Sequence, residues 1–400
     1  MILMPINSSR VKFLTGSPEI FENISNVKAL PVFSKQAVDF LSALSRELLS
    51  DDRAKTMPDV VSYAFWIRKA YIDKTMKKYT DYENRIGRGI AFHIAPSNVP
   101  VNFEVSFTSC LLAGNACIVR VSNKYFEQVD IICEAINQLF ENDFKKFSQY
   151  LNIISYEHND EITNELSKIC DIRIIWGGNR TINEIRRAPL PPRAIEMAFA
   201  DRYSLAVINA EAYLESDKQA TAKGFYIDTY YTDQNACSSP RVIIWTGMQI
   251  TKARDIFWEK IKELALSDYE FRPVQAIDKL SSFCELAVEN TGIKLISGDN
   301  FVTRVEVDRL SEELMSYKTG SGYFFEYTAK DLSEIIPLLG KSCQTVSYLG
   351  IDPDEIRNIV FDNGVRGVDR IVPVGKTMDL SFTWDGYDMI YAMSRIVDVN

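Results

Sequence analysis

Residues 233–240 read DQNACSSP, a thiol among small polar residues at the head of the apolar run RVIIW. A cysteine with only a packing role usually has large apolar neighbours. Cys110 in SFTSCLLA, Cys117 in GNACIVRV, Cys133 in VDIICEAI, Cys170 in SKICDIRI and Cys284 in SSFCELAV come closer to that pattern, while Cys343 in GKSCQTV is ambiguous. Cys237 is therefore the candidate nucleophile, with a buried structural thiol as the alternative.

Four further positions carry chemistry. APSNVP, residues 95–100, follows an apolar strand, and Asn98 there is either an oxyanion donor or a turn residue beside Pro100. Arg120 ends the run IVRVSNK and reads as a snorkelling surface arginine or as a fork for phosphate oxygens. WGGN, residues 176–179, lets backbone approach an anion at a strand-to-helix turn, though GG is also ordinary loop chemistry. Glu196 in AIEMAFA must be paired, protonated or functional, and Arg193 and Arg202 are nearby partners in the sequence. His93 reads as a hydrogen-bonded core residue. With two histidines in the chain and no CxxC pair, no metal site is expected.

The elements that must position these residues alternate. GIAFHIAP, ACIVRV, YLNIISY and DIRIIW read as strands, separated by helical patterns in VNFEVSFTSCLLA, YFEQVDIICEAINQLF and EITNELSKI. That alternation predicts a parallel, doubly wound sheet. No G-x-G-x-x-G is present: Gly87 and Gly89 precede the strand, and the sixth position is Phe92. A second α/β series begins with RVIIWTG. QAVDFLSALSRELLS and residues 58–79 have helical periodicity, the first thirty residues give weak signals, and residues 384–400 read as a closing helix.

A formal charge of −9 argues against a general nucleic-acid or anionic-membrane binder. No apolar run reaches the length of a bilayer span, and no amino-terminal secretion signal is visible. Seven cysteines, an odd number, do not form a disulfide framework, so a cytoplasmic, reducing location is expected.

In order, APSNVP, IVRVSNK, WGGN, AIEMAFA and QNACSSP resemble the signature series of the aldehyde dehydrogenase superfamily. FHIAPSNVP, DQNACSSPRVI, GKSCQTVSYLGI and the carboxyl-terminal VDRIVPVGKTMDLSFTWDGYDMIYAMSRIV are similar to its acyl-CoA reductase branch, over roughly residues 86–400. The resemblance implies an α/β fold of two doubly wound parallel-sheet domains with the active site between them. It implies a cofactor domain, residues 86–210, on which a helical region over residues 1–85 is expected to pack. A thiol domain, residues 211–365, and a segment returning to the cofactor domain, residues 366–400, follow.

Carried over by position, Cys237 is the catalytic thiol, Asn98 the side-chain donor to the oxyanion and Glu196 the superfamily's general base. Ala95, Pro96, Ser97, Gly177 and Gly178 take the nicotinamide-cofactor contacts, with Arg120 and Ser122 from IVRVSNK. Arg120 stands where lysine is usual, and IVRVSNK has no acidic residue for a free 2′-hydroxyl, so NADPH is the expected cofactor. The implied reaction is reduction of an acyl thioester to the aldehyde. The implied partners are an acyl-activating synthetase or a carrier protein, with the chain a homo-oligomer. The alternatives are an aldehyde dehydrogenase releasing free acid and an inactive scaffold.

Overall fold

Parallel strands covered on both faces read as continuous apolar runs. Ile90–Ile94, Ala116–Arg120, Leu151–Ser155 and Ile172–Trp176 are such runs, buried throughout except at Arg120. The computed structural model, which describes residues 8–96 and 102–399, orders them within a six-stranded sheet. Across it run Lys12–Thr15, Leu151–Ser155, Ala116–Arg120, Ile90–Ile94, Ile172–Trp176 and Ile195–Phe199. All pairs are parallel except the edge strand Lys12–Thr15, which is antiparallel to Leu151–Ser155. Strand order reverses about Ile90–Ile94, the switch point where open α/β sheets bind ligands at their carboxyl ends.

This sheet belongs to a unit of Met1–Ala200 with Leu380–Asn400. Within it the helix Lys35–Ser50 starts where Ser34 Oγ accepts the Ala37 amide at 3.4 Å. It packs on the helix Glu127–Glu141, with Phe40 stacked on Phe140 at 5.2 Å. The periodicity over residues 58–79 divides into two helices, Pro58–Trp66 and Lys69–Met76. Arg68 is extended between them, its guanidinium 3.8 Å from the Phe65 ring centre.

The carboxyl-terminal segment corrects the sequence reading. Asp385 and Gly386 both take positive φ, 47° and 75°, and turn a short hairpin of Thr383–Trp384 with Tyr387–Asp388. Only Met389–Met393 is helical, capped by Asp388, and Ser394–Ile396 then pairs antiparallel with Arg85–Gly87. Phe382 stacks on Trp66 at 4.4 Å and anchors the hairpin.

The second unit, Asp201–Asp379, holds a seven-stranded sheet. Its order is Ile293–Gly298, Thr303–Val307, Tyr323–Thr328, Pro240–Thr246, Tyr203–Asn209, Cys343–Leu349 and Arg370–Pro373. Only the Ile293–Gly298 edge is antiparallel. Tyr323–Thr328 is pinned from its buried Glu326, which accepts Trp245 Nε1 at 2.9 Å, Trp258 Nε1 at 2.6 Å and Arg304 Nε at 2.7 Å. A buried carboxylate so fully satisfied holds the strand beside the one that follows Cys237.

Candidate active site

The first unit gathers the expected cofactor residues on one edge of its sheet. Ile94 is in register with Arg120 on one side and Ile175 on the other. Ala95 and Pro96, Arg120, and Gly177 and Gly178 are therefore at the carboxyl ends of three adjacent strands. A small pocket beside them is lined by Ala95, Pro96, Ser122 and apolar side chains including Phe103 and Phe126. Ser122 Oγ accepts the Lys124 amide at 3.1 Å and fixes the turn after the strand. Arg120 donates from Nη2 to the Tyr156 carbonyl at 3.3 Å, with its guanidinium 4.6 Å from the Tyr156 ring centre. Its Nε is buried without a partner. Gly177 packs closely, since a Cβ there would meet Thr181 at 3.3 Å. Gly177 and Gly178 do not line the pocket.

Ser97 and Asn98 lie outside the described residues. His93, on the Ile90–Ile94 strand, is fully buried, and its Nδ1 is 2.7 Å from Ser106 Oγ. It is a hydrogen-bonded core residue, as expected.

In the second unit Cys237 is half-buried, whereas Ser238 and Ser239 are buried. The turn holding it is built from two residues in the left-handed region, Asp233 at φ 53° and Gln234 at φ 56°. Such conformations cost non-glycine residues roughly 1 kcal/mol each and persist when their surroundings over-determine them. Here they are over-determined. The Asp233 carboxylate accepts the Tyr269 hydroxyl at 2.5 Å and Arg272 Nη2 at 3.3 Å.

Gln234 is fully buried and uses its whole side-chain amide. Oε1 accepts the Gly322 and Tyr323 amides at 2.7 and 3.1 Å, and Nε2 donates to the Pro240 and Tyr323 carbonyls at 3.2 and 3.3 Å. Gly320 permits the approach, because a Cβ there would lie 2.4 Å from the Asp233 carbonyl oxygen. Ser204 Oγ donates to the Cys237 carbonyl at 2.7 Å and accepts the Thr345 amide at 3.1 Å. The thiol is thus presented by a turn tied to three neighbouring segments.

Two cations interact with it electrostatically. The Arg241 guanidinium donates to the carbonyls of Gln234 and Thr319. Burial pulls its pKa down to about 10, against a favourable interaction with Cys237. Lys318, beside Thr319, is lowered first by burial and then by Arg241, with Cys237 and Asp201 acting in the opposite sense. Both interactions have the sense that an adjacent thiolate would give. Sequence reading missed Arg241, Lys318 and Gln234.

Glu196 is paired, but not with Arg193 or Arg202. Its strand neighbour Arg173 is buried and donates Nε and Nη2 to Oε2 at 2.9 and 2.5 Å, and Arg186 Nε reaches Oε1 at 2.7 Å. Strand register and the helix after WGGN set these pairs. Arg202 instead pairs with Asp369. Among the thiols expected to pack, Cys110, Cys117, Cys133 and Cys170 are buried, as is the ambiguous Cys343, but Cys284 is exposed on the helix Pro273–Glu289.

Comparison with known proteins decides the family. The sequence model of the acyl-CoA reductase (LuxC) family matches residues 18–267, a span that holds Ala95, Pro96, Arg120, Ser122, Gly177, Gly178, Glu196, Gln234, Cys237 and Arg241. The chain belongs to the acyl-CoA reductase (LuxC) family. It is thereby an oxidoreductase acting on acyl groups, in the branch that its motifs resemble.

Relatives in this family are distant. The long-chain acyl-protein thioester reductase of Photobacterium phosphoreum is 22% identical over 382 residues, covering 92% of this chain and 72% of that protein. The enzyme of the same name from Vibrio harveyi is 24% identical over 325 residues, covering 79% and 64%. The chain thus spans less than two thirds of the latter's length. Among solved structures it is similar to glyceraldehyde-3-phosphate dehydrogenase of Methanocaldococcus jannaschii in complex with NADP. The TM-score is 0.66 at 15% identity, covering 94% of this chain and 91% of that one. A lactaldehyde dehydrogenase superposes with a TM-score of 0.65 at 12% identity, covering 94% and 88%. The fold of this LuxC-family chain is that of the aldehyde dehydrogenases. No helix among the described residues is long and apolar enough to cross a membrane.

Proposed function

We propose that this chain reduces an acyl thioester, carried by CoA or by a protein, to the aldehyde through a covalent thioester on Cys237. The observation that carries this reading is the half-buried thiol of Cys237 on a turn held by the Gln234 and Ser204 hydrogen bonds. The thiolate attacks the thioester carbonyl carbon, the carbon–sulfur bond to the carrier breaks, and the carrier leaves as a thiol after taking a proton. Hydride addition to the acyl carbon gives a thiohemiacetal, whose collapse releases aldehyde and restores the thiolate. Asn98 is the side-chain donor to the developing oxyanion in this scheme.

The first unit suits a nicotinamide dinucleotide. Three strand ends meet at its switch point, the pocket lined by Ala95, Pro96 and Ser122 lies there, and Arg120 keeps a buried Nε without a partner. NADPH supplies the hydride when bound. Arg120 is the residue that would hold its 2′-phosphate, and Gly177 and Gly178 form the adjoining turn.

The Glu196 pairs support reduction over hydrolysis to free acid. Both carboxylate oxygens already accept from guanidinium groups, so the position is poorly suited to taking a proton from water. Exposed Val274, Ile277, Leu280 and Val288 along one helix fit a chain that associates with a second copy or with an acyl-delivering protein. Seven free cysteines fit a reducing, cytoplasmic compartment.

The test is mass spectrometry after incubation with acyl-CoA, without and then with NADPH. The protein should gain one acyl group on the peptide holding Cys237, and NADPH should discharge it as aldehyde. Discharge to acid, or a label on another cysteine, overturns the reading.

A further inference from the structure

A second cluster of soft ligands lies in the core of the first unit. His93 comes from the strand Ile90–Ile94, Cys117 from the neighbouring strand Ala116–Arg120, and Cys110 from the helix Asn102–Leu112. His93 Nε2 or Nδ1 and the two Sγ atoms all lie within 4.8 Å of one another, and all three residues are fully buried. Parallel pairing of Ala91 with Cys117 and of His93 with Val119 puts His93 and Cys117 on one face of the sheet.

The imidazole is prepared for a ligand in a way that packing does not require. Its Nδ1 is fixed at 2.7 Å from Ser106 Oγ, which is itself held by Trp176 Nε1 at 3.0 Å. Its Nε2 is buried with no hydrogen-bond partner. A histidine bound to metal characteristically has its other ring nitrogen oriented by an outer hydrogen bond of this kind. An unpartnered ring nitrogen in a dry core otherwise costs about 1–3 kcal/mol.

The geometry points to a buried site for a thiophilic d10 cation, zinc(II) or copper(I), held by His93 Nε2, Cys110 Sγ and Cys117 Sγ. Two sulfurs and an imidazole, with no carboxylate in the cluster, select soft cations over magnesium or calcium. Binding zinc releases the two thiol protons, while His93 keeps its proton on Nδ1. Two thiolates then balance the divalent charge and leave a neutral core, whereas copper(I) leaves one negative charge. Charge balance thus favours zinc, whereas a shell of three ligands favours copper(I), which accepts three-coordination more readily than tetrahedral zinc. Closing on a cation with bonds of about 2.0–2.3 Å needs side-chain shifts of roughly half an ångström per ligand. Because the cluster is sealed, the cation enters as the chain folds. Once bound, it clamps the helix Asn102–Leu112 to the two strands whose carboxyl ends carry Ala95, Pro96 and Arg120.

The test uses the full chain, made in zinc-supplemented medium and also refolded with one equivalent of zinc(II) or copper(I). Elemental analysis should find one cation per chain in at least one arm. X-ray absorption at the metal edge should show two sulfurs at about 2.3 Å and one nitrogen at about 2.0 Å. Cys117→Ser and His93→Gln should each lower retained metal at least about tenfold, while Cys284→Ser keeps it. If the variants fail to fold, the spectrum of the native protein decides alone. Substoichiometric metal in every arm, a first shell without sulfur, or a Cys110–Cys117 disulfide formed in place of binding overturns the proposal. None of these readouts depends on reductase activity.

Discussion

The Arg241 guanidinium donates to the carbonyl oxygen of Gln234, in the turn that presents Cys237. One buried cation thus shapes the turn and sets the field at the thiol. Replacing it with a neutral side chain separates these effects. Arg241→Gln should move the pH midpoint of Cys237 alkylation upward by about one unit, since an adjacent cation favours thiolate by that order. Arg241→Lys should recover part of the shift. Iodoacetamide rates against pH, with circular dichroism confirming the fold, make the measurement. An unmoved midpoint in a folded Arg241→Gln protein would falsify the electrostatic role.

Gln234→Ala should lower thioester reduction strongly while leaving NADPH affinity within about twofold, because its four amide bonds all lie inside the second unit. Removing a buried amide and stranding its partners should also cost about 2–3 kcal/mol by urea unfolding. Loss of cofactor binding in proportion to activity would argue instead for general unfolding.

Much of this arrangement was readable in the sequence, for physical reasons. The five-residue runs IAFHI and IRIIW are buried on both faces and could hardly be anything but inner parallel strands. Cys237 stood out because its neighbours are small. The edge strand KFLT buries a single residue and pairs antiparallel, so it leaves little pattern. The helical pattern of residues 384–400 is broken by Asp385–Gly386, whose positive φ values make a hairpin turn. Gln234 looked like one more polar neighbour, since its partners Gly322 and Tyr323 lie 88 and 89 residues away. Register, not proximity in the chain, chose Arg173 for Glu196 and brought His93, Cys110 and Cys117 together.

Glu196→Gln should destabilise the first unit by about 3 kcal/mol, because it strands the buried Arg173 without a counter-charge. The aldehyde-to-acid product ratio should stay constant. A variant of native stability with altered products would restore Glu196 as the reaction's base.

Stability should also carry a signature of Asp228. Its carboxyl is raised to about 6, chiefly by burial, against amide bonds from Gly375 at 2.6 Å and Thr377 at 3.0 Å. A folded-state value above the unfolded one means that folding favours the protonated form. The contribution is fully present below pH 3.8 and is lost as pH rises through about 6. Relative to Asp228→Asn, the native chain should lose about 2–3 kcal/mol between these limits. Parallel urea midpoints for the two proteins across that window would remove Asp228 from the account.

Arg120→Ala tests the cofactor reading. Arg120 ends its strand beside Ala95 and Pro96, rests on Tyr156, and spends one Nη2 hydrogen bond on the Tyr156 carbonyl, leaving Nε unpartnered. A guanidinium so placed can still fork onto a 2′-phosphate. Loss of that charge-assisted contact should cost about 1.5–3 kcal/mol, one to two orders of magnitude in the NADPH-to-NADH ratio of kcat/KM. Affinity for NADH should change little, because that cofactor presents a neutral 2′-hydroxyl. Steady-state kinetics with both cofactors in the native chain and in Arg120→Ala make the comparison. A native preference for NADH, or a ratio that Arg120→Ala leaves in place, would show that the phosphate is held elsewhere and that Arg120 serves only to brace Tyr156.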